Sequence, residues 1–198
     1  SSVWVQTLRT GNRIQVSNKP GIDGAPSFSP DGRLIVFASN RRAYGDSMSA
    51  DEQKMFAHDP ATLNDIYLCR ADGSGVKRLT TEPGYDGGPF YSPDGAKIVY
   101  RARHSEDPEE IADYQRLLGQ GLIRPSALEV YVMDADGSNV RQVTDNGAAN
   151  FGPFWHPDGE RIIFSSNQGD PSGREFDLYM INVDGTGEER ITYTSDFD

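Results

Sequence analysis

"GGPFYSPDGAKIVY", residues 87–100, contains a tetrapeptide, Ser-Pro-Asp-Gly, that recurs along the chain. It is also found inside "PSFSPDGRLIVFAS", and His-Pro-Asp-Gly is found inside "GPFWHPDGERIIFSS". The central aspartates are Asp31, Asp94 and Asp158, so the intervals are 94 − 31 = 63 and 158 − 94 = 64 residues. A nearly constant period of this kind indicates tandem structural repeats.

Each copy of the tetrapeptide lies between two segments that read as strands. An apolar or aromatic segment precedes it, and proline, aspartate and glycine supply the backbone angles and the side-chain cap of a tight turn. A run rich in β-branched and aromatic residues follows each copy, at 33–39, 96–102 and 160–166. Two such segments around a turn predict a β-hairpin, whose strands we call A and B.

A second hairpin, with strands C and D, follows later in each unit. Its copies share an aromatic third residue and a central Asp-Gly, and they span 65–80, 129–144 and 177–192. Their first strands alternate with the period of two that is typical of a strand. A weaker fourth copy opens the chain at 3–17. We predict that one slot of this hairpin holds rings that pack between neighbouring sheets: Trp4, Tyr67, Tyr131 and Tyr179.

Two hairpins make a four-stranded unit, and such units in tandem form the blades of a β-propeller. The predicted fold is therefore all-β: one domain, 1–198, that is a propeller segment of four-stranded antiparallel blades with two short helical insertions. The predicted blades span 3–17 (outer hairpin only), 25–80, 88–144 and 152–192. The Asp-Gly turns need no functional role, because they are hairpin turns.

The predicted ring is incomplete. The repeats amount to about three and a half blades, whereas closed propellers have four to eight. An open ring exposes strand edges and apolar blade faces. We therefore expect the missing blades to be supplied by the rest of a longer chain or by other subunits.

The motifs "PSFSPDGRLIVFASNR", "DIYLCRADGSGVKRLT" and "DLYMINVDGTGEERIT" resemble the repeats of the TolB-type β-propeller family. The resemblance covers nearly the whole chain and is specific for fold, since the motif residues are turn and core residues. It implies a bacterial protein in the periplasm or outside the cell. Related propellers also gate enzymes similar to prolyl oligopeptidase.

Composition excludes some partners. The chain has 36% hydrophobic and 25% charged residues, a globular mixture, and no apolar run that would predict membrane insertion. Its net charge of −11 repels phosphate backbones, so we expect no nucleic-acid partner. The first twelve residues, "SSVWVQTLRTGN", carry no targeting signal, so the expected location rests on the resemblance alone.

Two connections between strands B and C are much longer than the third, which needs only 167–176. They span 40–64 and 103–127, and each predicts a helix: Ser49 and Glu52 form a capping box in the first, and Asp107 precedes Pro108 in the second. Loops on a rigid scaffold commonly carry binding residues, although these helices could also serve only to cover blade edges. The candidate binding residues are Arg42, Tyr44, His58, Tyr85, Asp86, His104 and Phe151.

Catalytic and metal chemistry are not expected. His58 and His104 have acids nearby, but His156 falls in a turn at the opposite end of the blades, and no spacing matches a zinc motif. No Gly-x-Ser-x-Gly is present, and Cys69 lies in a strand slot that apolar residues fill elsewhere. The repeated acids at the start of strand C predict a structural role, as a turn cap or an arginine partner: Asp65, Glu129 and Asp177. We therefore predict no catalytic residue, no metal and no cofactor.

The expected function is a non-catalytic scaffold that binds a protein partner, or a peptide or carbohydrate ligand, through the face carrying the insertions. Two alternatives follow from the resemblance. The chain could be the gating propeller of a larger hydrolase similar to prolyl oligopeptidase, or a metal-dependent propeller lyase.

Overall fold

A computed structural model describes residues 1–45, 48–58, 63–82, 84–104, 109, 112, 116 and 128–193. Its strands form one two-stranded and three four-stranded antiparallel sheets. The two-stranded sheet, the half blade, consists of β1 (Trp4–Gln6) and β2 (Arg13–Gln15). Blade 1 consists of β3 (Asp23–Phe28), β4 (Leu34–Ser39), β5 (Asp65–Arg70) and β6 (Lys77–Arg78).

The other two blades repeat this order. Blade 2 consists of β7 (Tyr85–Tyr91), β8 (Lys97–Arg103), β9 (Glu129–Asp134) and β10 (Arg141–Gln142). Blade 3 consists of β11 (Asn150–Trp155), β12 (Arg161–Ser166), β13 (Asp177–Asn182) and β14 (Glu189–Arg190). The first strands of the three blades lie next to one another, with β7 between β3 and β11. The predicted all-β propeller segment is thus confirmed.

The recurring Ser-Pro-Asp-Gly turn is held by its own side chains. The Ser29 hydroxyl donates to Asp31 (2.6 Å) and accepts the backbone N–H of Leu34 (2.9 Å). Ser92 makes the same two contacts in blade 2, at the same distances. Gly32 has φ +70°, a backbone conformation that disfavours a side chain. The motif recurs because each blade needs this turn between its first two strands.

Each first strand begins two or three residues before the predicted blade start. The β3, β7 and β11 strands all contain a bulge, at which one residue adopts a positive φ: Ala25 (+47°), Gly88 (+62°) and Gly152 (+55°). The bulge interrupts the alternation of apolar residues, and so the sequence pattern shows only the part of the strand that follows it.

The cores lie between neighbouring sheets. In three blades a tyrosine of the third strand stacks on an aromatic ring of the second: Tyr67 on Phe37 (5.9 Å), Tyr131 on Tyr100 (5.7 Å) and Tyr179 on Phe164 (5.9 Å). All three tyrosines are buried, each in the cluster it shares with the preceding sheet, as predicted. The prediction is wrong for Trp4, which is 56% exposed. None of the described strands pairs with the edge of β1 that faces away from β2, where a stacking ring would be supplied.

The first insertion contains a short 3-10 helix, Arg41–Tyr44, and α1, Ala50–His58. The predicted capping box is present, since Ser49 N–H donates to Glu52 Oε2 (2.8 Å) and Glu52 N–H donates to Ser49 Oγ (3.2 Å). The helix predicted from Asp107 lies mostly outside the described residues; Glu109, Ala112 and Arg116 are helical and exposed. Within the described part of the chain, the helices are too short or too polar to cross a membrane.

Candidate binding site on the insertion face

We call the end of the blades formed by the segments that follow β4, β6, β8, β10 and β12 the insertion face. All seven candidate residues belong to this end, and the structure divides them into different surroundings. Arg42, Asp86 and His104 are engaged in ion pairs. Tyr85 and Phe151 meet around an arginine, and Tyr44 packs against Phe56 of the first insertion. The side chain of His58, the last residue of α1, lies outside what the structure describes.

The pair Asp86–His104 occupies a position that every blade repeats. His104 Nε2 lies 2.8 Å from Asp86 Oδ1, and in blade 1 Arg41 Nη2 lies 3.0 Å from Asp23 Oδ1. The two acids have the same register, since Asp23 is opposite Ser39 and Asp86 is opposite Ala102. Asn150 is the matching residue in blade 3, and Gln168 matches His104. The pair therefore ties the start of the first strand to the end of the second in blades 1 and 2.

The surroundings of His104 favour its charged form. Burial opposes protonation of the imidazole, but the adjacent carboxylate of Asp86, with Glu82 and Asp65 further away, outweighs it and raises the pKa of His104. The ring also lies 5.3 Å from that of Tyr131. Asp86 is fully buried, and neither of its carboxylate oxygens has a hydrogen-bond partner among the described residues, so its contact with His104 is an ion pair. A buried carboxylate in this position explains why an imidazolium is held beside it.

Arg42 connects the first insertion to the blade 1–blade 2 interface. Its Nη1 lies 2.6 Å from Glu52 of α1, and its Nε lies 3.5 Å from the buried carboxylate of Asp65. Arg78 Nη2 contacts the other oxygen of Asp65 at 2.7 Å. Burial raises the pKa of Asp65 to about 6, with the two arginines opposing the shift and Asp86 adding to it. Arg42 therefore compensates buried charge, and it is not free to bind a ligand.

The repeated acids behave as structural groups. Asp177 Oδ2 lies 2.7 Å from Arg190 Nη2, the same arrangement as Asp65 with Arg78. Glu129 has no arginine at that position, where blade 2 carries Gln142. Its carboxylate instead accepts hydrogen bonds from Thr144, from the Gly147 backbone and from Asn150 Nδ2 of the next blade. The acid at the start of the third strand thus anchors the linker to the following blade.

A different kind of cluster surrounds Arg101, which sequence reasoning did not identify. Its guanidinium lies 5.7 Å from the ring of Tyr85 and 5.1 Å from that of Phe151, and its Nη2 donates to the Tyr85 hydroxyl at 3.0 Å. Phe176 packs against Phe151 at 5.5 Å, and Tyr85 and Phe151 are each partly exposed. Two candidate residues that are 66 positions apart therefore meet at one cation (151 − 85 = 66).

Arg101 could have been found by comparing repeats. The matching residues are Ala38 in blade 1 and Ser165 in blade 3, since these face Gly24 and Phe151 as Arg101 faces Gly87. A large cation in a slot that is otherwise small departs from the repeat. Tyr44, the other exposed candidate, is 53% exposed and meets Phe56 edge to face at 5.5 Å.

Metal ligation has no cluster to support it in the described parts of the chain, where no group of three or more His, Cys, Asp or Glu residues is placed to hold an ion. His156 contacts Asp158 (2.9 Å) within the turn of blade 3, away from the insertion face. Cys69 is buried between the half blade and blade 1, and burial raises the pKa of its thiol.

The family model described as the TolB beta propeller domain matches residues 1–111. A Bacillus subtilis protein named as an uncharacterized peptidase, YuxL, is 24% identical over 91% of this chain, which spans 28% of that protein. The uncharacterized protein Atu1656 of Agrobacterium fabrum is 26% identical over 97% of this chain, which spans 66% of that protein. The crystal structure of TolB from Acinetobacter baumannii matches 98% of this chain and 38% of its own, with 23% identity and a TM-score of 0.65, and so shows a shared fold. The chain thus spans less than two thirds of the length of these relatives.

Proposed function

We propose that this chain, which belongs to the TolB beta propeller domain family, is a non-catalytic scaffold that binds a protein partner, or a peptide or carbohydrate ligand, through its insertion face. The observation that carries the proposal is the cluster of Arg101, Tyr85 and Phe151. Aromatic residues and arginine dominate the energetics of binding surfaces. Here they are gathered at one place, on the end of the blades where the long connections also emerge.

The cluster is hard to explain by stability alone. Blade 1 folds with alanine and blade 3 with serine in the slot of Arg101. A guanidinium brought into a partly buried place loses hydration, and Nε of Arg101 is buried with no hydrogen-bond partner among the described residues. A buried donor left unpaired destabilises a fold by about 1–3 kcal/mol. Binding of a ligand to the cluster would explain why the chain has an arginine at this position.

Selection of peptides from a displayed random library tests the proposal. We expect peptides selected on the wild-type chain to bind at least about tenfold more weakly to Phe151→Ser, because aromatic anchors carry much of the binding energy. Val140→Ser is the matched control, since Val140 is exposed in the turn after β9, outside the insertion face. Peptides that lose affinity for Val140→Ser but bind Phe151→Ser normally would place the binding surface elsewhere.

A second candidate function is the gating propeller of a larger hydrolase. The similarity to a protein named as a peptidase favours it, and the short share of that protein that the chain spans leaves room for a separate catalytic domain there. In that case we expect the complete polypeptide to carry an α/β-hydrolase signature outside residues 1–198. Peptidase activity of that polypeptide should then depend on substrate size, and Phe151→Ser should change the size limit. Equal activity on short and long peptides would contradict gating.

The proposal also includes a further A–B hairpin that would complete the half blade. Trp4 is exposed along one side of it, and Phe28 of β3 is 50% exposed beside it. Both rings are placed to be covered by one further A–B hairpin, supplied by the rest of a longer chain or by another subunit. A periplasmic or extracellular location, which the family resemblance implies, remains part of the proposal. No observation in the described parts of the chain favours a metal-dependent lyase, since no three His, Cys, Asp or Glu residues lie together there to hold an ion.

A further inference from the structure

We propose that Arg101 recognises a carboxylate carried by an apolar peptide segment, a free C-terminus or an acidic side chain, with Tyr85 and Phe151 forming the walls of the subsite. The inference rests on the proposed binding function and names the chemical group that the insertion face recognises. It does not require the peptide to be cleaved.

No carboxylate in the described parts of the chain compensates the charge of Arg101. Arg41, Arg42 and Arg78, which also reach into blade interfaces, each contact a carboxylate within 4 Å. Among the described residues, Arg101 has no such partner, and its one hydrogen bond goes to the neutral hydroxyl of Tyr85. Arg101 is partly buried, whereas the other described arginines without a carboxylate within 4 Å are exposed: Arg9, Arg13, Arg70, Arg141 and Arg174. A guanidinium of this kind matches a carboxylate in both charge and geometry.

The backbone leaves room beside the guanidinium. Gly88 forms the bulge of β7 with φ +62°, and a methyl group at that position would lie 3.7 Å from Nη1 of Arg101. The approach to Nη1 is therefore lined by glycine and not by a side chain. The two rings, at 5.7 and 5.1 Å, hold the guanidinium by cation–π contacts and leave its amino groups as donors.

The surroundings favour a peptide over an acidic sugar. A uronic acid carries several hydroxyl groups, whose recognition requires matching polar groups. The guanidinium of Arg101 lies against the rings of Tyr85 and Phe151 and beside Gly88, and the Tyr85 hydroxyl already accepts a hydrogen bond from it. Phe151 and Phe176, which pack together at 5.5 Å, instead offer an apolar surface to a side chain next to the carboxylate.

The test uses two probes that differ only in charge: N-acetyl-Ala-Phe with a free carboxylate, and its C-terminal amide. Their binding to the whole chain is followed by NMR through backbone amides and the Nε–H signal of Arg101, which Arg101→Gln assigns by its loss. We expect the acid to bind at least about tenfold more tightly than the amide, since hydrogen bonds to charged groups are the stronger ones. Arg101→Gln should reduce the acid to the level of the amide.

Two variants keep the test sharp. Arg101→Lys retains the charge but loses the planar fork, and should bind the acid several-fold more weakly than wild type even if Arg101→Gln does not fold. Arg33→Gln is the control, because Arg33 is an exposed arginine in the turn before β4, at the other end of blade 1. Its removal should leave both probes unaffected.

The possible failures are distinguishable. Equal binding of acid and amide, with both weakened by Phe151→Ser, overturns carboxylate recognition and leaves the proposed binding face standing. Binding of galacturonate that depends on Arg101, with no binding of the peptide acid, overturns the peptide assignment in favour of a sugar. Absence of binding by every probe at millimolar concentration overturns the subsite.

Discussion

The half blade and blade 1 contain the same hairpin, but only in blade 1 does a further described strand pair with it. Trp4 is opposite Gln15, as Tyr67 is opposite Arg78, so both rings hold the same register. Even the hydroxyl caps match, since Val3 N–H donates to Ser17 Oγ (2.7 Å) and Ile66 N–H donates to Thr80 Oγ1 (2.9 Å). Yet Trp4 is 56% exposed and Tyr67 is 6% exposed. The local sequence therefore determines the hairpin, whereas burial of its ring depends on a neighbouring strand.

Aromatic residues in the first strands of the three blades also differ in burial according to the blade that precedes them. Phe28, Tyr91 and Trp155 hold one register position, each opposite an isoleucine of the second strand. Tyr91 packs against blade 1, and the indole N–H of Trp155 donates to the Phe90 carbonyl of blade 2 (3.2 Å). Phe28 is preceded only by the half blade and is 50% exposed. A ring at this register position is therefore buried only where a complete blade precedes it.

The largest expected effect comes from the ring slot itself. Tyr131→Ala should lower the free energy of unfolding by about 3–5 kcal/mol, because the buried ring stacks on Tyr100 and lies in the core between blades 1 and 2. Trp4→Ala should lower it by less than about 1 kcal/mol, since an exposed ring loses little on truncation. Chemical denaturation followed by circular dichroism measures both. Equal losses for the two variants would mean that Trp4 is as well packed as Tyr131.

Substitutions at the left-handed position of the bulge should change the free energy of unfolding by less, and with opposite signs in blades 1 and 3. Ala25 holds φ +47° where blade 3 has Gly152 at φ +55°, and no atom lies within 4 Å of a methyl group at position 152. Left-handed backbone costs a residue with a side chain about 1–2 kcal/mol, partly offset by the greater freedom of glycine in the unfolded chain. Ala25→Gly should therefore stabilise, and Gly152→Ala destabilise, each by roughly 1 kcal/mol.

The same unfolding measurement decides the bulge prediction. If Ala25→Gly is destabilising, Ala25 must gain from its methyl group more than its backbone loses. Ala96→Gly is the control, since Ala96 is exposed and does not have a positive φ, so glycine should not stabilise the fold there.

The repeat explains how much of this molecule its sequence could predict. The turn at Asp31, the strands and the capping box of Ser49 and Glu52 depend on residues close in the chain, and local patterns report them well. The exposure of Trp4 could not be read from its slot, because it depends on whether a distant strand is present. The early start of β3 was hidden by the bulge at Ala25.

The candidate site was predicted only in part, for a related reason. Tyr85 and Phe151 were selected for their place on one face, and the structure joins them through Arg101, which lies inside a strand and carried no loop signal. Asp86 and His104 were selected for their place on the same face, but they fill the slot that Asp23 and Arg41 fill in blade 1. A slot-by-slot comparison of repeats separates these cases: a conserved pairing with changed residues indicates structure, and a residue without a counterpart indicates function.

The smallest effect at neutral pH concerns that pair, and it is a change in pH dependence. Because the pKa of His104 is raised in the folded chain, the folded state holds the proton more strongly than the unfolded state. The resulting stability is fully present below about pH 6.5, the ordinary histidine value, and is lost as pH rises through the folded pKa. His104→Gln, which installs the residue of blade 3, should flatten the decline in unfolding free energy above pH 6.5. Asp86→Asn should flatten it too, since the imidazolium loses its partner.

Asp65, with a pKa of about 6 in the folded chain, also makes the unfolding free energy fall as pH rises, but between about pH 4 and 6. Both variants should therefore keep part of the slope in that acidic window. A decline above pH 6.5 that survives in both variants would show that the pair in blade 2 is as insensitive to pH as its neutral counterpart in blade 3.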